Sequence, residues 1–339
     1  MVDLRSDTKT LPTEAMFEAM RKAELGDSKA FEDPTVARLE EMAADIMGTE
    51  AALLYISGTM ANLCTLLACT RSGDAFFAEP DTHIHYLEKG YDTVARIRPI
   101  FLESSGGIID PDALRSALDV PDHGGRLLCL ENPHNRGGGR VLPLDRHAEL
   151  CTVAHDHGLH VHIDGARVFN ASVAAGKPVS EWARHADSVM FCLSKSLSCP
   201  LGSVLCGTRD FIQKAWQARV PLGGGMRQAG LIAAAGMVAL ETMVDRLSED
   251  HALARRLAEG IVDVRGLSLD LDSVQTNMVV PYVNPGGPSP DDWVQALEDR
   301  GVLASIHPPD RLRFVTTRHH SQQDIEHAVS AVRGAADPG

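Results

Sequence analysis

A lysine surrounded by small residues is the first group in this sequence that could do chemistry. Lys195 lies in the stretch FCLSKSLSCPLGS, residues 191–203, directly after a short apolar run and with no carboxylate beside it. A lysine at the end of a buried strand can be a surface ammonium, a phosphate contact or a nucleophile that forms a Schiff base. Taken alone, the stretch favours the surface ammonium, so its neighbours in the fold decide its role.

A second stretch, YISGTMAN, places Ser57, Gly58 and Thr59 between an apolar run and a helical pattern. N–H groups at the N-terminus of a helix stabilise an anion, which makes this turn a candidate phosphate site. The stretch contains neither the P-loop motif nor the dinucleotide-binding motif GxGxxG. The alternative is an ordinary helix N-cap formed by a serine or threonine.

A third candidate is Asp164, which ends the apolar run HVHID and is soon followed by Arg167. A carboxylate at a strand end could hold a proton on the nitrogen of a heterocycle. It could instead form an ion pair with Arg167. Together, Asp164, Lys195 and the turn at Gly58 supply groups for the three parts of pyridoxal phosphate that a protein must bind, which are its ring nitrogen, its aldehyde and its phosphate.

Three histidines offer a competing interpretation, in which the site binds a metal. His83 and His85 form an HxH pattern on a predicted loop, and His134 follows a later strand. Imidazole is a common ligand of transition metals, but this pattern lacks a matching carboxylate cluster. We therefore expect pyridoxal phosphate and no metal.

Short apolar runs that alternate with helical patterns indicate the elements that position these residues. The predicted strands are residues 51–56, 74–78, 127–131, 160–164 and 188–194. Such alternation predicts parallel βαβ units, a sheet buried on both faces and hence an α/β fold. Ligands bind beyond the carboxyl ends of the strands in these sheets, and the polar residues named above follow those ends.

The helical patterns complete this prediction. The predicted helices are residues 33–48, 59–68, 228–246 and 290–300. The first has Asp33 as its N-cap, Pro34 in its first turn and Gly48 as its stop. From about residue 248 the pattern changes to a smaller α+β unit with strands at residues 277–283 and 312–316. The predicted domains are a large cofactor-binding α/β domain, residues 15–245, and a small α+β domain formed by residues 1–14 and 246–339.

Composition and charge exclude several classes of partner. The formal charge of −14, from 32 Lys+Arg and 46 Asp+Glu, disfavours nucleic acid and anionic membranes. The longest apolar stretch, residues 229–240, is shorter than the roughly 20 residues that a membrane span needs. The N-terminus lacks the apolar segment of a signal peptide, and the seven cysteines show no CxxC spacing. These features are typical of reduced thiols, so we expect a cytoplasmic protein.

Motifs along nearly the whole chain resemble one family. They are DLRSDTKTLPTEAM (3–16), EDPTVARLE (32–40), SGTMAN (57–62), ENPHNRGGGRVLPL (131–144), HIDGARVFNA (162–171), FCLSKSL (191–197), LGGGMRQAG (222–230) and RFVTT (313–317). In order and spacing they resemble the fold-type I pyridoxal-phosphate enzymes and, within them, the L-threonine aldolases of the β-eliminating lyase group. The resemblance implies a mostly parallel central sheet of seven strands.

The resemblance also implies roles for individual residues. Those expected to hold the cofactor are Lys195 at its aldehyde, Asp164 at its ring nitrogen, His83 over its ring, Gly58, Thr59 and Ser194 at its phosphate, Arg167, and Arg227, which would reach the phosphate region across a subunit interface. Those expected to bind the substrate are Ser6, Arg167 and Arg313 at its carboxylate, and His134 with His83 at its β-hydroxyl.

The implied reaction cleaves L-threonine, L-allo-threonine or a related β-hydroxy-α-amino acid to glycine and an aldehyde. Two guanidiniums on the carboxylate would orient the Cα–Cβ bond, and a neutral imidazole, or a water that it orients, would remove the β-hydroxyl proton. The alternatives are β-elimination, transaldol exchange or racemisation with the same cofactor, and a scaffold without catalysis. The resemblance further implies a homodimer or homotetramer with shared active sites.

The sequence departs from the family at several positions near the implied site. Ala30 and Phe31 replace a tyrosine and a glycine, which could reshape the substrate pocket. Ser196 and Ser198 replace glycines that allow unusual backbone angles, and Thr317 replaces a histidine. Glu88 keeps the family's position, but its surroundings differ, and we expect it to be a solvated acid on a loop.

Overall fold

A sheet of seven strands lies at the centre of the larger part of the chain. The computed structural model describes residues 1–307 and 309–336. Its strands are, in chain order, β1 (Val2–Asp3), β2 (Ala51–Tyr55), β3 (Ala75–Ala78), β4 (Arg98–Phe101), β5 (Ser104–Ser105), β6 (Ile108–Ile109), β7 (Gly125–Glu131), β8 (His160–Asp164), β9 (Ser188–Cys192), β10 (Ser203–Gly207), β11 (Leu267–Ser268), β12 (Met278–Val279), β13 (Tyr282–Val283), β14 (Val302–Leu303), β15 (Ser305–His307) and β16 (Arg311–Val315). The central sheet has the spatial order β2, β10, β9, β8, β7, β3, β4.

The central sheet is parallel except at one strand. Neighbouring strands from β9 to β4 run parallel, whereas β10 runs antiparallel to both β9 and β2. Every residue of β9 and β10 is buried, as expected for a sheet that is covered on both faces. The predicted α/β class and the mostly parallel sheet of seven strands are confirmed. The edge strand β4 was not predicted, because its sequence RPIF is short, half-exposed and interrupted by proline.

Helices pack against the sheet and are joined to its strands by loops. They are, in chain order, α1 (Glu14–Lys22), α2 (Pro34–Met47), α3 (Gly58–Cys69), α4 (Pro111–Leu118), α5 (Leu144–Asp156), α6 (Val168–Ala175), α7 (Ser180–Ala183), α8 (Arg209–Arg219), α9 (Gly230–Thr242), α10 (Leu247–Ile261), α11 (Pro290–Glu298) and α12 (Gln322–Ala336). Across the described ranges, none of them combines the length and the apolar character that crossing a membrane would require.

The caps predicted for α2 are confirmed. The Asp33 side chain accepts hydrogen bonds from the N–H groups of Thr35 and Val36 at 3.1 and 3.0 Å, and Gly48 ends the helix with a left-handed backbone. The prediction for residues 228–246 was too long. Helix α9 ends at Thr242, where a turn separates it from α10.

The C-terminal part of the chain forms a smaller sheet with the order β11, β13, β16, β12, and β15 also pairs with β16. The strand predicted at residues 277–283 is divided into β12 and β13, because Pro281 between them has no N–H to donate. The chain's first residues join this part: β1 pairs with β14, and Val2 and Leu4 lie in its apolar core. The domain boundaries given above stay a prediction.

The loop after β9 contains a strained residue. Ser198 has a φ of 67°, in the left-handed region that favours glycine. Its side chain is buried, and its hydroxyl has no hydrogen-bond partner among the described residues. The angles expected from the family's glycines are therefore retained at Ser198. Ser196 is not in the left-handed region.

We expect Ser198→Gly to stabilise the chain by about 1 kcal/mol, because glycine adopts this backbone without strain and no buried hydroxyl is left unpaired. Ser196→Gly is the matched control, since Ser196 donates a hydrogen bond to Asp7 and its loss should destabilise. Urea unfolding gives both free energies of unfolding. A Ser198→Gly variant less stable than the wild type would show that no strain is stored at this residue.

Candidate active site

The carboxyl ends of three parallel strands bring the candidate residues together. Glu131 at the end of β7 is paired in register with Asp164 at the end of β8, and Asp164 is paired with Met190 of β9. Lys195 follows β9 in the next loop. The structure therefore places Asp164 and Lys195 at the same edge of the sheet, as the sequence predicted.

Asp164 is held by neutral donors. Its Oδ2 accepts a hydrogen bond from Nδ2 of Asn62 at 2.8 Å, and its Oδ1 accepts one from the N–H of Ala166 at 3.1 Å. The alternative in which Asp164 pairs with Arg167 is wrong, because Arg167 has another carboxylate as its partner. Among the residues that the structure describes, no arginine is paired with Asp164, which fits the role of holding a proton on a heterocycle.

The partner of Arg167 is Asp7, which sequence reasoning missed. Nε and Nη2 of Arg167 donate to the two oxygens of Asp7 at 2.6 and 2.7 Å, and both side chains are buried. Ser196 also donates to Asp7, at 2.8 Å. Burial alone would raise the pKa of Asp7, but the Arg167 guanidinium outweighs it and holds this pKa well below its usual range. The only available signal was the position of Asp7 in the motif DLRSDTKT.

A second guanidinium lies beside this pair. Arg313 donates to Oδ1 of Asn135 at 3.2 Å, and Nη1 of Arg167 donates to the same oxygen at 3.4 Å. Burial and the neighbouring Arg167 lower the pKa of Arg313 to about 10, and its buried Nε has no partner among the described residues. Asp7 therefore lies near two guanidiniums but forms hydrogen bonds with only one of them, Arg167. This excess of positive charge can bind an anion such as a carboxylate.

Ser6, the third residue expected at the substrate carboxylate, is placed differently. It is the N-cap of the short helix Asp7–Lys9, and its hydroxyl oxygen accepts hydrogen bonds from the N–H and the hydroxyl of Thr8. It is half-buried and directly precedes Asp7. A contact with a substrate would have to use its hydroxyl proton.

The carboxylate of Glu88 orients His83, although the sequence predicted that Glu88 is solvated. Nδ1 of His83 lies 3.1 Å from Oε1 of Glu88, and its backbone N–H donates to Glu131. The Glu88 side chain is only 5% exposed, so the prediction of a solvated acid is wrong. Burial lowers the pKa of His83, but the hydrogen bond to Glu88 and the charge of Asp164 outweigh it and raise the pKa. The two π-helical turns after His83, which fold Glu88 back, were not readable from the sequence.

His134 is buried, with both ring nitrogens bonded to protein groups. Its Nε2 lies 3.0 Å from Oε2 of Glu79, and its Nδ1 accepts a hydrogen bond from the N–H of Gly137 at 2.9 Å. Burial opposes a charge on the ring, but the carboxylates of Glu131 and Glu79 raise its pKa above the usual value. The predicted contact with a β-hydroxyl would require one of these bonds to open, so this role stays a prediction.

The turn before α3 fits a phosphate group. Ser57 is the N-cap of α3 and accepts a hydrogen bond from Met60, so the simple capping role exists as well. A Cβ added to Gly58 would lie 2.9 Å from Sγ of Cys192 and 3.2 Å from Cε of Met190, so only glycine fits there. Gly58 and Thr59 form the first turn, whose N–H groups remain available to an anion.

Lys195 and Ser194 follow β9 in the loop at this edge of the sheet. Both side chains are half-buried. The backbone carbonyl of Lys195 accepts hydrogen bonds from the Thr10 hydroxyl at 2.7 Å and from the Ser198 N–H at 2.8 Å. These bonds fix the backbone at Lys195 and do not involve its side-chain amine.

Two residues that the sequence singled out lie at the surface. The Arg227 side chain is 55% exposed, and its partner within the described chain is Asp27, at 3.3 Å. Phe31 is 66% exposed, has a φ of 60° and packs against Trp216. A phenylalanine thus stands in the left-handed region at the position where the family has a glycine. Within residues 1–307 and 309–336, no group of three or more His, Cys, Asp or Glu side chains is arranged to hold a metal ion.

Comparisons with known proteins agree with the fold described above. Residues 3–283 match the family model described as beta-eliminating lyase. The chain is 40% identical to low-specificity L-threonine aldolase 1 of Arabidopsis thaliana, over 98% of this chain and 96% of that protein. The solved structure of Leishmania major threonine aldolase has a TM-score of 0.83 at 16% identity and covers 99% of this chain and 100% of that one. A structure of SPT with a PLP internal aldimine has a TM-score of 0.76 at 19% identity, covering 98% and 86%. The predicted fold-type I architecture is confirmed.

Asp7→Asn should lower the free energy of unfolding by about 3–5 kcal/mol, because it leaves the buried Arg167 without a counter-charge. Asp3→Asn is the matched control, since Asp3 forms a salt bridge with Arg5 at the surface, where its loss costs less than about 1 kcal/mol. Denaturant unfolding at pH 7 compares the two variants. Equal losses would contradict a buried pair at Asp7.

The pH dependence of the same variant provides an internal control. The pKa of Asp7 is lower in the folded chain than in the unfolded one, so its stabilising effect is complete above about pH 4 and declines as the pH falls further. The difference in stability between the wild type and Asp7→Asn should therefore shrink below pH 4. A difference that grows in acid would contradict the sign of this shift.

Proposed function

The chain belongs to the β-eliminating lyase family, and from this membership we propose that it is a pyridoxal-phosphate-dependent aldolase. Its substrate is L-threonine, L-allo-threonine or a related β-hydroxy-α-amino acid, and its products are glycine and an aldehyde. The observation that supports this best is that two guanidiniums, the buried Arg167 and the half-buried Arg313, lie near Asp7, although Asp7 forms its ion pair with Arg167. Such a site binds a carboxylate next to a reactive amine.

The residues present fit the cofactor. Lys195 would hold its aldehyde, Asp164 its protonated ring nitrogen, and the first turn of α3 at Gly58 and Thr59 its phosphate, with Ser194 close by. Bound there, pyridoxal phosphate withdraws electrons from a bond at the α-carbon of an amino acid. Asp164 supports this chemistry because a carboxylate that no arginine neutralises keeps the ring nitrogen positive.

Arg167 and Arg313 select the bond. Guanidiniums bind a carboxylate through paired hydrogen bonds, which fixes the rotation of the substrate about its α-carbon. Asp7 and Asn135 hold both guanidiniums in place from the protein side. The carboxylate is therefore retained, and the Cα–Cβ bond is presented for cleavage.

His83 is the base that removes the β-hydroxyl proton. Nδ1–H of His83 donates a hydrogen bond to the carboxylate of Glu88, so in the neutral ring the other nitrogen, Nε2, carries the lone pair. Nε2 can accept the hydroxyl proton directly or through one water. His134 would assist only if its bond to Glu79 or Gly137 opened.

We place the enzyme in the cytoplasm as a homodimer or homotetramer whose subunits share active sites. Arg227 supports this assembly, because it is exposed and pairs only with Asp27 among the described residues. Large apolar side chains are also exposed close in sequence to Asp27 and Arg227, at Leu25, Phe31 and Leu231. A second subunit that covered them would bring Arg227 to the neighbouring phosphate site.

The wild type, loaded with pyridoxal phosphate and given L-allo-threonine, should release glycine and acetaldehyde in equal amounts. Lys195→Ala should lose the visible absorbance of the bound cofactor and reduce turnover on the order of 1,000-fold or more. Lys177→Ala, at an exposed lysine, is the matched control and should change neither. Ammonia and an oxo acid without glycine would instead indicate β-elimination, and absorbance without turnover would indicate a scaffold.

Shared sites predict that two inactive variants restore each other. Mixing Lys195→Ala with Arg227→Ala under conditions that exchange subunits should give mixed dimers with one intact site, and hence about a quarter of the wild-type activity. Each variant alone, treated in the same way, provides the control. Activity that stays at the level of the separate variants would mean that Arg227 does not serve a neighbouring subunit.

A further inference from the structure

The buried amide of Asn62 contacts two carboxylates at once. Its Nδ2 lies 2.8 Å from Oδ2 of Asp164 and 3.3 Å from Oε1 of Glu88. Asn62 is fully buried in α3, and the Glu88 side chain is almost as buried. A carboxylate that holds the cofactor and a carboxylate that orients His83 therefore meet at one side chain.

The neighbours of Asn62 fix the orientation of its amide. Both carboxylates are acceptors, so the atom between them must be the nitrogen, which donates one proton to each. The amide oxygen then accepts a hydrogen bond from Nε2–H of His162, at 3.1 Å. Burial lowers the pKa of His162 to about 3, so its ring is neutral, and its Nδ1 faces the Ser188 hydroxyl at 2.9 Å. All donors and acceptors of this side chain are thus satisfied in one arrangement only.

This arrangement compensates a charge conflict. Asp164 and Glu88 repel each other, and the repulsion is stronger away from water. The two N–H bonds of Asn62 point at the two anions and offset this repulsion. Glu88 is also bonded to Nδ1 of His83, at 3.1 Å, so a displaced Glu88 would carry the ring of His83 with it.

We propose, on the basis of the proposed function, that Asn62 is a positioning residue: it fixes Asp164, which holds the cofactor's ring nitrogen, relative to Glu88, which orients His83. Asn62 lies one helical turn after Gly58 in α3. A single helix thereby carries both the phosphate contact and the amide that holds Asp164. The spacing between the two ends of the cofactor site follows from the geometry of that helix.

The test measures the dissociation constant of pyridoxal phosphate by titrating the full-length apoprotein and following the visible absorbance. Asn62→Leu should raise this constant tenfold or more, because two charge-assisted hydrogen bonds are lost. Glu88→Gln alone should leave it within about threefold, since the glutamine oxygen can still accept from His83. The double variant, Asn62→Leu with Glu88→Gln, should recover most of the affinity, because only one buried carboxylate remains.

Asn170→Leu is the matched control. Asn170 is equally buried but contacts His251, so its replacement should leave the dissociation constant within about threefold. If Asn62→Leu does not fold, Asn62→Ser removes the same amide with a smaller side chain and carries the same expectation. The rescue by Glu88→Gln separates positioning from a general loss of stability.

The outcomes separate this inference from the proposed function. Wild-type protein that binds no pyridoxal phosphate would overturn the proposed function, and this inference with it. Wild-type protein that binds the cofactor while Asn62→Leu binds it equally well would overturn the inference alone. A double variant that binds no better than Asn62→Leu would also overturn it, because the repulsion from Glu88 would then play no part.

Discussion

The buried ion pair between Asp7 and Arg167 is the constraint on which the rest of the site depends. It joins the N-terminal segment, whose Leu4 packs into the core of the C-terminal part, to the loop that follows β8. Arg313 reaches the same place from β16. Because Asp7 is paired with Arg167 while Arg313 is bonded to the neutral Asn135, a positive charge remains that, in the proposed function, a substrate carboxylate would neutralise. The same contact thus joins distant segments of the fold and, in the proposed function, would fix the orientation of the substrate.

Local patterns in the sequence were enough to predict the elements. The apolar run of β8 and the caps of α2 are encoded within a few residues, and both lie where they were expected. Contacts between distant segments were not readable in this way. Asp7 lies 160 positions from Arg167, and Asn62 lies 102 positions from Asp164. Only the fold shows which polar residues meet. The sequence suggested Arg167 as a possible partner of Asp164, but in the structure its donors are Asn62 and the N–H of Ala166.

Some residues of the candidate site lie as the sequence predicted, and others do not. Asp164, Lys195 and the turn at Gly58 lie at one edge of the sheet, as the sequence motifs predicted. His134 is nearby, but its ring is committed to Glu79 and Gly137. Glu88, which we expected to be a solvated acid, is buried and orients His83. Buried carboxylates are therefore as much a part of the candidate site as the basic residues in the motifs.

The central claim is that the amine of Lys195 holds pyridoxal phosphate covalently within this charged framework. Borohydride reduction of the cofactor-loaded protein, followed by peptide mapping, tests it most directly, because reduction makes the linkage permanent. The account predicts a single modified peptide, which contains Lys195. A label on another lysine, or no label on a protein that has bound the cofactor, would contradict it.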